Sequence, residues 1–148
     1  MRFVFRAPVR LYDHGLGWVL GHRFLCLTHL GRRSGRMYRT VLEVVGTEGG
    51  EYVVVAGLGA RADWFRNIQA RPPVEVIVGR RRFPAAHRVL GEDEAVEVIA
   101  GYERRNRLAK PVLRFAFGKL LGRRYDGTDL SRRRMARQLP LVALRPRS

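Results

Sequence analysis

The sequence predicts an α+β fold, with about six mainly antiparallel strands and with helices at the start and in the C-terminal half. Two observations support this prediction. Short glycine-containing turns join β-rich apolar segments directly, as in hairpins. Helical periodicity is confined to a few segments that do not alternate regularly with the strands. Because parallel strands need crossover connections of a dozen or more residues, the hairpin turns argue against a doubly wound sheet.

The chain begins with a segment that is expected to be helical over residues 8–20. Pro8 suits a first helical turn, and apolar residues recur behind it at helical spacing. The next segment, "HRFLCLTHL" (22–30), is mostly apolar and ends at Gly31. This pattern predicts a buried strand followed by a turn.

A hairpin and a short helix follow. "YRTVLEVV" (38–45) is rich in β-branched residues, and "GTEGG" (46–50) joins it to the strand "EYVVVAG" (51–57). "ADWFRNIQA" (62–70) is expected to form one or two helical turns with Asp63 as N-cap, because two prolines follow it.

The remaining elements are a second hairpin and a helical C-terminal part. "VEVIVG" (74–79) alternates strictly, and "RRRFPAAHRVL" (80–90) is its expected partner, bent at Pro84. Acidic residues open the next helix and basic residues close it, which matches the helix dipole. We expect this helix from Glu92 to about Ala109, a second helix over about 111–121, a short helix over 130–138 and a final strand over 139–145.

Length and apolar content predict one domain over residues 1–148, because 46% hydrophobic residues can fill a core. We divide it into an amphipathic segment (1–21), the strands, a helical part (91–138) and the final strand (139–145). Cys26 is the only cysteine, and the four histidines do not pair at ligand spacing. We therefore expect no disulfide and no metal site. The sequence shows no signal-peptide pattern, which predicts a cytoplasmic protein.

This protein is strongly basic, with 29 Lys and Arg against 13 Asp and Glu, which gives a net charge of +16. Such a field attracts nucleic acid, anionic lipid or phosphorylated small molecules. "GRRSGRMYRT" (31–40) concentrates four arginines between two expected strands. Gly31 and Gly35 permit positive φ, which would expose backbone N–H groups to an anion, and guanidinium groups bind phosphate and carboxylate bidentately. By itself, the turn is explained equally well as a solvated loop.

A second glycine-rich turn occurs in "AGLGARADWFRNI" (56–68), where it ends a strand and opens a helix. A helix N-terminus favours an anion, and Arg61 and Arg66 would reinforce it. The third glycine of a dinucleotide fingerprint is absent. Core packing explains Trp64 and Phe65 equally well.

Together, "LTHLGRRSGRMYRT" and "VVVAGLGARADWFRNIQARPPVEVIVG" resemble the deazaflavin (F420)-dependent nitroreductase and quinone reductase family, over roughly residues 15–90 and the final "LPLVAL" strand. The family's G-R-K/R-S-G turn is intact, and its W-x-x-N-[LI] helix start survives as Trp64, Asn67 and Ile68. Its proline-rich stretch is reduced here to "GLGARADW". The resemblance implies a split β-barrel fold like that of FMN-binding proteins. It also implies hydride transfer from reduced coenzyme F420 to a quinone, nitro compound or similar electrophilic acceptor.

The resemblance also implies which positions bind the cofactor. The turn that holds the phosphate and polyglutamate tail corresponds to Arg32, Arg33 and Ser34. The strand that lines the cofactor corresponds to Tyr38, Arg39, Thr40, Val41, Leu42 and Glu43. The turn beneath the ring system corresponds to Ala56, Gly57, Leu58 and Gly59, and the flanking helix start to Trp64, Phe65, Arg66, Asn67 and Ile68.

The acceptor side is indicated by fewer residues. Tyrosines in the C-terminal part of the family shape the substrate pocket, and this chain offers two there. Tyr102 is expected in the core, whereas Tyr125, expected at the surface or in a lid, is the candidate catalytic residue. His29 is expected to be a buried histidine with satisfied hydrogen bonds.

Several alternatives stay open. An FMN-binding flavoprotein of the same barrel is one, although its shorter tail would leave some arginines without partners. A basic nucleic-acid-binding module is another, but the arginines are scattered and no recognition motif occurs.

Aromatic and basic residues interleave over 1–21, which is typical of a peripheral contact with the inner face of a membrane. A homodimer is also expected, because split barrels commonly pair.

Overall fold

The computed structural model describes residues 23–57, 59–122 and 124–147, and the helix expected over 8–20 lies outside these ranges. The described residues form six strands and four α-helices. The strands are β1 (Phe24–Leu30), β2 (Met37–Glu48), β3 (Glu51–Val55), β4 (Glu75–Val78), β5 (Arg81–Val89) and β6 (Leu141–Pro146). The helices are α1 (Asp63–Ala70), α2 (Glu92–Arg105), α3 (Lys110–Leu121) and α4 (Asp129–Gln138).

The strands close into a barrel in the order β1-β2-β3-β6-β5-β4, and all six neighbouring pairs of these strands are antiparallel. Closure removes the exposed strand edges that an open sheet would present. The predicted α+β fold with a split β-barrel is therefore confirmed.

Two long strands each pair with two neighbours in succession. β2 pairs with β1 up to Glu43 and then with β3 from Val44, where the register shifts at a bulge. β5 pairs with β4 up to Pro84 and with β6 from Ala85. Pro84, where a bend is expected, is thus the residue at which β5 passes from one partner to the other, and proline cannot donate to the ladder.

The strands that face the helices are buried on both sides. Alternate residues of a strand point to opposite faces, so one set packs inside the barrel and the other against the helices. The inner set includes Val54, Val142 and Leu144. The outer set includes Val53, Leu141 and Ala143, which pack with residues of α2 and α4 such as Ile99 and Met135. This explains why "LPLVAL" reads as one apolar run.

Two expectations about helix ends are wrong. Helix α1 begins at Asp63, and its N-cap is Ala62, without a side-chain capping bond. The Asp63 carboxylate instead lies beside Arg32, as described below. The helix that begins at Glu92 ends at Arg105 rather than near Ala109, and a 3₁₀ turn over Arg107–Ala109 follows.

Ion pairs hold α2 and α4 together. The guanidinium of Arg133 lies 2.8 Å from the Asp93 carboxylate, and that of Arg137 lies 3.1 Å from Glu92. Thr128 caps α4 by accepting the Ser131 N–H at 3.2 Å. These ion pairs therefore link α4 to the N-terminal end of α2.

Candidate cofactor-binding site

A cavity of about 870 Å³ lies between β1, β2, the turn over residues 31–36, the start of α1 and the helices α2 to α4. A volume of this order suits a cofactor or a drug-sized ligand. Most positions that the family resemblance indicates line it, namely Arg32, Arg33, Ser34, Tyr38, Arg39, Thr40, Val41, Leu42, Glu43, Gly57, Trp64 and Asn67. The two glycine-rich turns of the sequence are therefore brought to one cavity.

Five other indicated positions are not among the residues that line the cavity. Ala56, Phe65 and Ile68 are buried in the barrel core, Gly59 is buried with φ +71°, and Arg66 is exposed. Leu58 lies outside the described residues. A cofactor contact by any of these residues stays a prediction.

The basic turn is closed by its own backbone. The Gly31 N–H donates to the Arg36 carbonyl and the Gly35 N–H to the Gly31 carbonyl, both at 2.8 Å. Gly35 has φ +72°, as expected, but Gly31 does not have positive φ. Space at Gly31 is nevertheless limited: a Cβ there would lie 2.6 Å from the Ser34 hydroxyl oxygen and 2.9 Å from the Tyr38 ring, so those side chains would have to move.

Asn67 anchors this turn to α1. Its side chain is 4% exposed, and its Oδ1 accepts from both the Arg32 backbone N–H (3.0 Å) and the Arg32 guanidinium (2.9 Å). The same guanidinium lies 3.4 Å from the Asp63 carboxylate. The Arg32 backbone N–H and both terminal nitrogens of its guanidinium are therefore directed to the protein itself. This arrangement corrects the expectation that consecutive N–H groups of the turn are available to an anion, since the Arg32 N–H is already paired.

The amide of Asn67 also fixes the protonation of His29. Because arginine only donates, Oδ1 must face Arg32, and Nδ2 must then face His29 Nδ1 at 3.0 Å. His29 Nδ1 accepts this bond, so its proton is on Nε2, which lies 3.0 Å from the Thr40 hydroxyl. Burial lowers the pKa of His29 to about 4, which keeps the ring neutral near pH 7. The expected buried, satisfied histidine is present, and it also lines the cavity.

The charge available to a ligand lies on the outer side of the turn. Arg33, Ser34 and Arg39 are exposed at the rim of the cavity. Among the described residues, the Arg33 guanidinium makes no hydrogen bond and no ion pair with the protein. Its planar donors match phosphate and carboxylate oxygens. The donor chemistry of this rim therefore fits the anionic part of a phosphorylated cofactor.

The opposite end of the cavity is apolar. It is formed by Phe24, Val45, Val55, Phe117 and Met135, which sequence reasoning did not indicate. Phe117 and Met135 belong to helices far from the turns in sequence, so no local pattern could have found them. One polar pair interrupts this wall, since the Tyr102 hydroxyl donates a short hydrogen bond to the Glu43 carboxylate. Burial, with Glu43 next in importance, raises the pKa of Tyr102.

The two tyrosines exchange the places expected for them. Tyr102, expected in the core, is half-buried and lines the cavity. Tyr125, expected at the surface or in a lid, is only 4% exposed and packs edge-on against Phe117 at 5.0 Å. Its hydroxyl donates to Glu103, which also pairs with Arg132 at 2.8 Å. Tyr125 is not among the residues that line the cavity, and its catalytic role stays a prediction.

Within the described ranges, no group of histidine, cysteine and acidic residues could hold a metal ion, and no helix is long and apolar enough to cross a membrane.

Comparison with known structures shows the same fold. An F420H2-dependent reductase, FDR-A, matches with a TM-score of 0.54 and 23% identity over 84% of this chain and 95% of its own. A structure described as a domain-swapped dimer matches with a TM-score of 0.56 and 23% identity over 93% of both chains. HutZ, the heme storage protein of Vibrio cholerae, matches with a TM-score of 0.53 and 15% identity over 93% of this chain and 91% of its own.

A search of curated proteins gives no match. The family model for F420H2-dependent quinone reductases, in contrast, matches residues 5–110, which is most of the chain. That span contains the basic turn, the strand that follows it and α1. The chain therefore belongs to the F420H2-dependent quinone reductase family and is an oxidoreductase whose cofactor is coenzyme F420.

Proposed function

We propose that this protein transfers a hydride from reduced coenzyme F420 to a quinone, a nitro compound or a similar electrophilic acceptor. The observation that supports this proposal is a single cavity with a basic rim at one end and an apolar wall at the other. An anionic cofactor tail suits the rim, and the flat rings of a donor and an acceptor suit the wall. We also propose that residues 1–148 act as one domain.

The rim would bind the cofactor through exposed guanidinium groups. Arg33 and Arg39 would pair with phosphate or carboxylate oxygens, with Ser34 as a neutral donor beside them. Arg32 would act indirectly by tying the turn to Asn67 and Asp63. The turn is thus held in place before a ligand arrives, which lowers the entropy lost on binding.

When bound, coenzyme F420 supplies the hydride, and the protein contributes position and solvent exclusion. The His29 ring donates to the Thr40 hydroxyl, so this hydroxyl can donate its own hydrogen to a ligand in the cavity. Because His29 stays neutral, it adds no charge next to the ligand. At the other end, the Tyr102 and Glu43 pair is the polar group that an acceptor would meet.

A binding titration tests the cofactor. Purified protein is titrated with F420 and with FMN, following cofactor fluorescence. We expect tighter binding of F420, because the rim offers more cationic positions than one phosphate can use. Equal or tighter binding of FMN would overturn the proposal in favour of a flavoprotein. Sub-micromolar affinity for one nucleic acid sequence at physiological salt, without cofactor affinity, would favour a nucleic-acid-binding module.

A turnover assay tests the acceptor. Oxidation of reduced F420 is followed by absorbance with a soluble naphthoquinone and with a nitroaromatic compound as alternative acceptors. We expect oxidation that depends on both protein and acceptor. Tight F420 binding without turnover of any quinone or nitro compound would overturn the proposed reaction while leaving the cofactor assignment intact.

We also propose a homodimer, which the domain-swapped dimer among the similar structures supports. Light scattering on the eluting protein would give its mass directly. The membrane contact expected over residues 1–21 lies outside the described residues and stays a prediction, as does the cytoplasmic location.

A further inference from the structure

One long segment carries positive charge without any acidic residue. Between Glu103 and Asp126 the sequence "RRNRLAKPVLRFAFGKLLGRRY" contains eight basic residues and no Asp or Glu. The segment includes the 3₁₀ turn Arg107–Ala109 and helix α3. It is distant from the basic turn in sequence, and none of its described basic residues is among those that line the cavity.

Large apolar side chains on this segment face the solvent. Leu108 is 99% exposed and Phe115, about two helical turns later, is 68% exposed. Phe117, on the opposite side of α3, is 8% exposed and packs against Tyr102 and Tyr125. Helix α3 therefore has an apolar residue turned inward to the cavity and another turned outward. A single exposed leucine is ordinary, but an exposed phenylalanine in the same basic segment is informative.

Cations accompany these exposed apolar residues along the segment. Arg107, Arg114 and Lys119 are exposed, and the Lys119 amine lies 5.3 Å from the centre of the Phe115 ring. No described carboxylate forms an ion pair with any of the three, whereas Arg133 and Arg137 of α4 are paired. We call Arg107, Leu108, Arg114, Phe115 and Lys119 the α3 surface.

We propose that the α3 surface docks on an anionic lipid bilayer. Phenylalanine and leucine insert between headgroups while flanking lysine and arginine pair with anionic lipid, which is how interfacial helices bind. A second copy of this chain is a poor occupant of the surface, because it would bring like charges together without acids to neutralise them. The docking does not depend on the proposed acceptor.

The position of α3 gives the docking a consequence for the reaction. Because Phe117 lines the cavity and Phe115 faces outward from the same helix, docking leaves only α3 between the lipid and the apolar end of the cavity. An acceptor dissolved in the membrane would then have only this helix to pass on its way to the cavity. This consequence rests on the proposed function, whereas the docking itself is tested by binding alone.

Vesicle flotation with the full chain tests the docking. The vesicles are phosphatidylcholine alone, or phosphatidylcholine mixed with phosphatidylglycerol. We expect partition into the mixed vesicles only. Combined Leu108→Ser and Phe115→Ser should lower the partition coefficient at least about tenfold, and combined Arg107→Gln and Lys119→Gln by about tenfold or more. Both side-chain pairs are exposed, so circular dichroism should show an unchanged fold.

Matched variants separate this surface from other causes. Leu130→Ser removes a leucine that is 58% exposed on α4, and it should leave the partition unchanged. Phe115→Trp should show a blue-shifted emission with mixed vesicles, beyond any change of the parent protein. Absence of vesicle binding overturns the proposal. Binding that the serine pair leaves unchanged also overturns it, and shifts the contact to residues 1–21. Loss of a dimer in the serine pair, with vesicle binding retained, would assign the surface to a second copy.

Discussion

Replacing Asn67 with alanine should destabilise the fold and loosen the basic turn at the same time. The substitution removes three hydrogen bonds of 2.9–3.0 Å, two from Arg32 and one to His29. Each neutral bond contributes about 1 kcal/mol, and the guanidinium bond about 1.5–3 kcal/mol. Water can reach the Arg32 side chain, which is 22% exposed, more easily than His29, which is 3% exposed. We therefore expect a loss of about 3 kcal/mol in the free energy of unfolding.

Urea unfolding measures this loss, and two variants serve as controls. Gln69→Ala removes an exposed side chain of the same helix whose Oε1 lies 2.7 Å from His87 Nε2, and it should change stability by less than about 0.5 kcal/mol. Asn67→Asp keeps the acceptor for Arg32 but cannot donate to His29 Nδ1, so the pKa of His29 should rise. A loss below about 1 kcal/mol in Asn67→Ala would refute the assignment of Asn67 as the anchor of the turn.

Three further outcomes follow from the same geometry. Arg33→Ala should weaken F420 binding about tenfold in calorimetry without changing stability. Arg33→Lys should recover only part of this loss of affinity. Wild-type affinity in Arg33→Ala would mean that the rim does not bind the cofactor. Gly59 has φ +71°, so Gly59→Ala should lower the free energy of unfolding by about 1–2 kcal/mol in urea. Gly91 has φ −69° and open space around it, so Gly91→Ala should be nearly neutral. Equal losses in the two variants would contradict the assignment of strain to Gly59. Stability should fall as the pH is lowered from about 6.5 towards 4, because the unfolded state takes up a proton that folded His29 rejects; a His29 ring that titrates near its ordinary pKa by NMR would exclude this cause.

Much of the fold could be predicted from local patterns. Strict alternation in "VEVIVG" and β-branched content in "YRTVLEVV" located strands, and glycine turns located the hairpins. The wrong predictions about the fold concern the ends of helices, where local sequence signals compete. Asp63 resembles an N-cap, but its carboxylate lies beside Arg32 instead, and a partner 31 residues away leaves no mark on local sequence.

The sequence by itself determined that this chain carries a basic, glycine-punctuated turn between two strands and a second turn that opens a helix, because those features depend on residue types within a few positions. Only the tertiary structure decided what each residue does there. It turned Arg32 inward to Asn67 and left Arg33 exposed, although the two are adjacent and identical. It also placed Tyr102 at the cavity and Tyr125 in the core. The physical reason is that a side chain's role depends on the groups that packing brings beside it, and those groups come from distant parts of the chain.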